Sequence, residues 1–224
     1  MKTWLKNLFV AKSSSALPNG SSGAPITIVS GLPRSGTSMM MRMLEAGGLP
    51  PLTDHLRTAD SDNPQGYYEF ERVKQLDRGD SAWLATAEGK AVKVISALLR
   101  HLPATYNYKV IFVERHMSEV LASQRQMLVR RQQVQPQGQP QQANEVVDDL
   151  DDATLTRLFS QHLQETRQWL AQQPNFAVCY VHYTDLLREP AAHAAQINQF
   201  LGDGLDVAQM ATVIDPALYR NRVL

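Results

Sequence analysis

The stretch ITIVSGLPRSGTSMMMRML, residues 26 to 44, joins an apolar run to a glycine-bounded turn and then to a helical pattern. Its turn differs by one residue from the phosphate-binding loop G-x-x-x-x-G-K-[ST], since Gly31, Gly36 and Ser38 occupy their places in that motif. Thr37 stands where the motif has lysine, and the nearest cation is Arg34, on the other side of Gly36. The stretch therefore predicts a strand–turn–helix unit that holds an anion without the usual lysine.

The backbone of such a unit can make an anion site by itself. N–H groups of the turn and of the first helical turn converge on one point, and the helix dipole favours negative charge there. The two glycines permit the close approach of an oxyanion. Ser35, Thr37 and Ser38 can add hydroxyl donors. Threonine in place of lysine removes the cation that bridges the β- and γ-phosphates in P-loop NTPases.

The segment GLPRSGTSMMMRML resembles the 5′-phosphosulfate loop of the sulfotransferases, especially the Pro-Arg-Ser-Gly-Thr form of tyrosylprotein sulfotransferases. Cytosolic members commonly have lysine at the position of Arg34. The resemblance implies an enzyme that moves a sulfonate group from 3′-phosphoadenosine 5′-phosphosulfate to an acceptor hydroxyl, with no metal. It implies that the phosphosulfate is held by Arg34, Ser35, Gly36, Thr37 and Ser38, and that Arg34 also acts in catalysis.

Three further segments carry the resemblance. YKVIFVERHMSEVLASQRQML resembles the second donor motif, in which a strand ends in arginine and the next helix bears a serine; Arg115 and Ser123 match, which implies that they hold the donor's 3′-phosphate. AVKVISALLRHLP resembles the segment with the family's catalytic lysine, which Lys93 matches. VHYTDLLREPAAHAAQINQFLG resembles a structural segment of the family. Without the resemblance, Ser123 would be interpreted as an ordinary serine on the exposed face of a helix. Lys93 is equally well explained as an ordinary lysine on an edge strand.

The chain departs from the family at the catalytic base. Ile95 stands two residues after Lys93, where the cytosolic enzymes have their histidine base. Protein and heparan sulfotransferases instead place a carboxylate some distance beyond the phosphosulfate loop, and Asp54 matches that position best. The same region offers other acid–base groups that the sequence leaves open as alternatives, namely His55, Asp60, Glu69 and Glu71.

Two more parts of the site stay open at the level of sequence. Many family members close the 3′-phosphate site with an Arg-Lys-Gly motif; this chain has LYRNR instead, so Arg220 and Arg222 are either substitutes or solvated arginines. In DNPQGYYEFE, the aromatic side chains of Tyr67, Tyr68 and Phe70 either line the acceptor side or pack internally.

Apolar, β-branched runs and helical patterns alternate along the chain. The runs predict four buried strands: Ile26–Val29, Ala91–Ile95, Lys109–Val113 and Phe176–Val181. Helices are predicted over residues 36–46, over 118–131 with Ser118 as N-cap, and over 152–172, with His162 at the edge of the core. Near-continuous apolar strands that alternate with helices predict an α/β fold with a P-loop-like open parallel sheet flanked by helices.

Composition shifts divide the chain. Residues 13 to 24 are rich in Ser, Gly and Pro, which predicts a leader and linker over residues 1–24 and one domain over 25–224. Residues 132–144 are rich in Gln and Pro and can bury little, which predicts a mobile insertion.

Overall composition limits the partners. Lys and Arg number 22, as do Asp and Glu, and a chain without net charge is a poor general nucleic-acid binder. Cys179 is the one cysteine, so no disulfide framework can form within the chain, and we expect it to fill the core. No apolar run approaches the ~18 residues of a membrane span. We expect a cytoplasmic protein whose acceptor hydroxyl belongs to a small molecule, a glycan or a peptide.

Two other functions fit parts of the sequence. A P-loop kinase or NTPase would need the lysine that Thr37 replaces and a magnesium-binding aspartate after a strand, for which Asp185 is the candidate. A non-catalytic nucleotide-binding module of the same fold could have lost its chemistry together with the histidine. Magnesium dependence distinguishes the first alternative, and turnover across a broad acceptor panel distinguishes the second.

Overall fold

The computed structural model describes residues 23–54, 56, 66–134 and 151–214 of the 224-residue chain. Outside these residues lie nearly all of the predicted leader and linker, most of the Gln-rich segment, and four candidate site residues: His55, Asp60, Arg220 and Arg222. None of the helices in the described part of the chain combines the length and the apolarity that crossing a membrane requires.

The strands are β1 (Ile26–Gly31), β2 (Ala91–Lys93), β3 (Tyr108–Glu114) and β4 (Phe176–His182). In the described part of the chain they form one parallel sheet in the order β2-β1-β3-β4, which confirms the predicted open parallel sheet. The prediction for β2 was too long. That strand ends at Lys93 rather than Ile95, because the chain turns into a short 3-10 helix at Ser96.

The α-helices of the described residues are α1 (Thr37–Ala46), α2 (Met117–Val134), α3 (Asp152–Gln172), α4 (Tyr183–Arg188), α5 (Pro190–Leu201) and α6 (Val207–Thr212). The same residues include three 3-10 helices, which span Glu71–Arg78, Ala82–Thr86 and Ser96–His101. The predicted bounds of α3 are confirmed, and Asp151 caps it by accepting from the Thr154 amide at 2.7 Å. The predicted Ser118 N-cap is wrong, because α2 begins at Met117 and its first amides bond the His116 carbonyl.

Each face of the sheet is covered by its own set of helices. On one face, Ile28, Val110 and Phe112 pack against Leu170 of α3 and against apolar residues of the 3-10 helices. On the other face, α1, α5 and α6 cover a cluster that includes Val29 and Ile111. Cys179 belongs to this second cluster, as predicted for a core residue, and burial raises the pKa of its thiol to about 11.

The register of the strands brings their carboxyl ends to one edge of the sheet. Val29 lies beside Lys93, Gly31 beside Val113, and Glu114 beside His182. After β1 the chain forms β2 on one side of β1 and then β3 on the other side of β1. The direction in which strands are added to the sheet therefore reverses at β1. In open parallel sheets, ligands bind outside the carboxyl ends at such a point.

Candidate active site

The residues predicted from three separate motifs lie at the carboxyl edge of the sheet. The turn of residues 32–36 follows β1, Lys93 ends β2, and Arg115 follows β3. Ser123 is on α2, whose first turn begins two residues after Arg115. The parallel sheet therefore brings together residues that are far apart in the sequence.

The turn after β1 has the backbone of an anion cradle. Arg34 and Gly36 have φ angles of 71° and 108°, in the left-handed region, and Gly36 is the N-cap of α1. A Cβ on Gly36 would collide with the ring of Tyr183. At Gly31, a Cβ would collide with the Val113 carbonyl and lie 2.6 Å from the Ser35 hydroxyl. Glycine is thus required at both ends of the turn by conformation and by space.

Hydroxyl groups of the turn fit an oxyanion ligand. Ser35 is 1% exposed, and its Oγ is buried with no hydrogen-bond partner among the described residues. Thr37 is also buried, and no side chain caps the first turn of α1. A buried hydroxyl normally finds a partner. An orphaned hydroxyl beside a glycine cradle and a helix N-terminus is the donor set that a phosphate or phosphosulfate group needs.

The two predicted donor motifs touch each other. The Nε of Arg34 donates to the Oγ of Ser123 at 3.0 Å. Arg115 donates from its guanidinium to the carbonyl oxygen of Arg34 at 3.3 Å. The turn after β1 and the arginine–serine pair after β3 are therefore in direct contact and form one candidate site rather than two.

Two further residues hold Arg115, and sequence reasoning did not single them out. Glu119 accepts from the Nε of Arg115 at 2.8 Å, and the two side chains are only 3% and 8% exposed. The guanidinium of Arg115 also lies over the ring of Tyr183, 4.5 Å from its centroid. The four-residue spacing of Arg115 and Glu119 at a helix start was a readable signal for the ion pair. The Tyr183 contact comes from tertiary structure, through the pairing of β3 with β4.

The side chain of Lys93, the last residue of β2, contacts the start of α1. Its ammonium donates to the Ser38 hydroxyl at 3.1 Å and to the Tyr67 carbonyl at 2.9 Å. Ser38 is one of the predicted donor-binding residues, so this contact brings the predicted catalytic lysine to the predicted phosphosulfate turn. Ile95, two residues after Lys93, is 41% exposed.

Asp54 is held by backbone amides of two segments. One carboxylate oxygen accepts from the Glu71 amide at 2.6 Å and the other from the Leu56 amide at 3.1 Å. Pro51 forms a parallel bridge with Ala91, which aligns this segment with β2. Asp54 lies three residues after this bridge, and Lys93 lies two residues after it at the end of β2.

The alternative carboxylates have other partners. Glu69 and Glu71 lie 3.8 Å and 2.7 Å from the ammonium of Lys74. Among the described residues, no group of three His, Cys, Asp or Glu side chains could hold a metal ion.

The aromatic side chains of residues 67–70 are largely committed to packing. Tyr67 is buried, and Phe70 packs edge-on against Trp83 with ring centroids 5.4 Å apart. Tyr68 donates its hydroxyl to Glu45, and burial raises the pKa of this hydroxyl well above its ordinary value. These contacts favour the structural role for all three rings.

Comparisons with known proteins bear on the family and the fold of the chain. A family model described as a sulfotransferase domain matches residues 25–221. The sulfotransferase domain from the Synechococcus PCC 7002 olefin synthase is 19% identical, with a TM-score of 0.53; the match covers 93% of this chain and 92% of that chain. Sulfotransferase STF1 from Mycobacterium tuberculosis H37Rv is 17% identical, with a TM-score of 0.54, over 85% of this chain and 71% of that chain.

A third solved structure, sulfotransferase STF9 from Mycobacterium avium, is 12% identical, with a TM-score of 0.52, over 87% of this chain and 67% of that chain. At these identities, the structural likenesses show the shared fold. No curated protein sequence gives a significant match.

Proposed function

We propose, from the premise that the chain belongs to the sulfotransferase family, that its donor is 3′-phosphoadenosine 5′-phosphosulfate and that the carboxyl edge of the sheet is the site of transfer. The family establishes an enzyme that transfers a sulfonate group. The contact between the two donor motifs carries the assignment of the site, with Arg34 hydrogen-bonded to Ser123 at 3.0 Å. Two anion-binding motifs this close suit one donor with anionic groups at its 5′ and 3′ positions.

The donor's two ends would be held by different residues. When bound, the donor supplies a sulfonate group on a phosphate leaving group. The turn amides and the hydroxyls of Ser35, Thr37 and Ser38 would hold the phosphosulfate, because they converge at the start of α1. Arg115 and Ser123 would hold the 3′-phosphate. The orphaned Ser35 hydroxyl supports this assignment, since a ligand oxygen would complete its hydrogen bonding.

Arg34 and Lys93 would supply positive charge to the leaving group. Arg34 belongs to the turn itself, and the Lys93 ammonium lies 3.1 Å from Ser38 on α1. Cations and backbone amides fixed beforehand at an oxygen that gains charge lower the barrier without reorganising during the reaction. This arrangement needs no metal ion, because the sulfonate group carries less charge than a terminal phosphate.

Asp54 would accept the proton of the acceptor hydroxyl. An ionised carboxylate offers about four lone-pair sites. Its two backbone hydrogen bonds therefore orient Asp54 and still leave capacity for a proton. The bridge of Pro51 to Ala91, which aligns the segment before Asp54 with β2, supports this role. The acceptor would be a hydroxyl of a small molecule, a glycan or a peptide.

Mass spectrometry of acceptor pools tests the proposed function. The protein is incubated with the phosphosulfate donor and with pools of small-molecule, glycan and peptide alcohols. We expect one class to gain a single SO₃ group, with no effect of a divalent-metal chelator and with loss of the product when Arg34→Ala replaces the wild type. An ATP- and magnesium-dependent gain of a phosphoryl group would contradict the proposal.

A further inference from the structure

Glu119 is one of the most buried acidic side chains among the described residues, and no step proposed above uses it. It is 3% exposed and lies in the first turn of α2, where the helix dipole favours negative charge. Its carboxylate bonds the Nε of Arg115 at 2.8 Å. A buried ion pair of this kind costs desolvation energy and is weak support for a role in stability alone. Its position suggests a role in binding.

Arg115 is fixed from three directions. Glu119 accepts from its Nε, the Arg34 carbonyl accepts from another guanidinium nitrogen at 3.3 Å, and the Tyr183 ring lies 4.5 Å below. An unrestrained arginine loses rotamer entropy when it binds a ligand. A side chain that is already ordered loses less on binding, so the affinity rises without any added ligand contact.

We infer that Glu119 is a positioning residue, which orients Arg115 and thereby gives the site its preference for nucleotides with a 3′-phosphate. This inference rests on the proposed function, in which Arg115 binds that phosphate. Glu119 acts through Arg115 and does not touch the ligand.

The test compares adenosine 3′,5′-bisphosphate with AMP, which lacks the 3′-phosphate, by isothermal calorimetry. The variants are Glu119→Ala, which removes the carboxylate, and Glu119→Gln, which keeps an oxygen that can accept from Arg115. Glu114→Gln is the matched control. Glu114 is also a buried acid near the end of β3, but it is held by Arg167, at 2.8 Å, and by His182, at 3.5 Å. Thermal unfolding shows whether each variant is folded.

In the wild type we expect the bisphosphate to bind at least about tenfold more tightly than AMP. Glu119→Ala should remove most of this preference by weakening the bisphosphate about tenfold while leaving AMP nearly unchanged. Glu119→Gln should recover part of the preference, and Glu114→Gln should keep all of it.

Three results separate the possible failures. Equal binding of both nucleotides by the wild type would contradict the proposed function itself. If the wild type prefers the bisphosphate and Glu119→Ala weakens both nucleotides equally, Glu119 is structural and the inference is wrong. If Glu119→Ala and Glu119→Gln both bind the bisphosphate more tightly than the wild type does, the carboxylate repels the phosphate, which also overturns the inference.

Discussion

Arg34 occupies an unusual backbone conformation for a residue with a long side chain. Its φ of 71° lies in the left-handed region, which costs a residue with a Cβ roughly 1–2 kcal/mol. Its carbonyl is held by Arg115 and its side chain by Ser123. Residues held in such conformations by their surroundings cluster at functional sites. The strain therefore fits a side chain whose position is fixed before the donor binds.

Arg34→Ala should damage turnover more than nucleotide binding. The arginine is expected to act on charge that grows at the leaving oxygen, and an interaction that strengthens in the transition state appears in kcat. We expect a loss of ~10²–10³-fold in kcat, measured as product formed on an acceptor identified by mass spectrometry. Arg34→Lys, which restores the cation of many cytosolic relatives, should recover part of the rate. Full activity of Arg34→Ala would refute this role.

Ser123→Ala is the matched contrast to Arg34→Ala. Its hydroxyl is assigned to the 3′-phosphate, which is remote from the reacting sulfur. The variant should therefore weaken binding of adenosine 3′,5′-bisphosphate by ~1.5–3 kcal/mol, the range for a hydrogen bond to a charged group, and lower kcat far less than Arg34→Ala does, because the guanidinium remains when its 3.0 Å contact with Ser123 is lost. Calorimetry and saturated turnover measure the two quantities separately. A fall in kcat with unchanged affinity would assign Ser123 to the reaction instead.

Asp54→Asn should lower turnover by ~10²–10⁴-fold with little change in nucleotide affinity, if Asp54 is the general base. Asparagine has one acceptor oxygen, so one of the two amide contacts of Asp54 would also be lost. Thr53→Val controls for this effect, because it removes the hydroxyl that bonds the Glu69 carbonyl at 2.9 Å and spares the carboxylate. If Asp54→Asn stays active and Glu69→Gln does not, the base is Glu69.

At the scale of elements, the turn between β1 and α1 depends on Gly36. Gly36→Ala should destabilise the fold in two ways. A residue with a Cβ loses ~1–2 kcal/mol in the left-handed backbone conformation of this position, and the methyl group forced against the Tyr183 ring costs a further ~1–3 kcal/mol. Gly48→Ala isolates the first cost, since Gly48 has a φ of 96° and no atom within 4 Å of its built Cβ. Urea unfolding measures both variants. Equal losses in the free energy of unfolding of the two variants would mean that the Tyr183 ring moves aside without an energetic cost.

Most elements could be predicted because their patterns are local. The four strands are apolar runs, fully buried in β1 and partly exposed in the edge strand β4, and the apolar stripe of residues 152–172 has a helical period along its whole length. Errors arose where neighbours decide the boundary. Ile95 continues the apolar pattern of β2 in the sequence, but the chain leaves the sheet after Lys93 to form the 3-10 helix that buries Leu99.

At the scale of the whole molecule, the sequence predicted which residues form the candidate site but not how they contact one another. Gly31, Lys93, Arg115 and Ser123 were readable because each lies in a motif with fixed spacing. The contacts of Arg34 with Ser123 and of Arg115 with Tyr183 join residues that are distant in sequence, and only strand pairing creates them. Glu119 was overlooked because an acid in the first turn of a helix already has an ordinary explanation.

The fold should lose stability in mild acid through His162. Burial of the ring, and then the charge of Arg100, hold the pKa of His162 below its ordinary value near 6.5. Above that value the imidazole is neutral in both states. As the pH falls below it, the unfolded chain takes up a proton that the folded chain resists, so the free energy of unfolding declines.

Urea unfolding at about pH 7 and at about pH 5.5 measures this effect. The wild type should lose more stability between the two values than His162→Gln, which can keep the hydrogen bond to Ser96 (2.8 Å) but does not titrate. The same loss in both proteins would show that other groups control the acid response.

Calorimetric titration of the wild-type protein with adenosine 3′,5′-bisphosphate, AMP and ATP, each with and without a divalent-metal chelator, tests the central claim most directly. Arg115 and Ser123 are proposed to bind a 3′-phosphate, which AMP and ATP lack, and no metal takes part in the proposed binding. We expect the bisphosphate to bind at least about tenfold more tightly than either other nucleotide and the chelator to change none of these affinities. Equal affinity for AMP, or ATP binding that requires magnesium, would contradict the account.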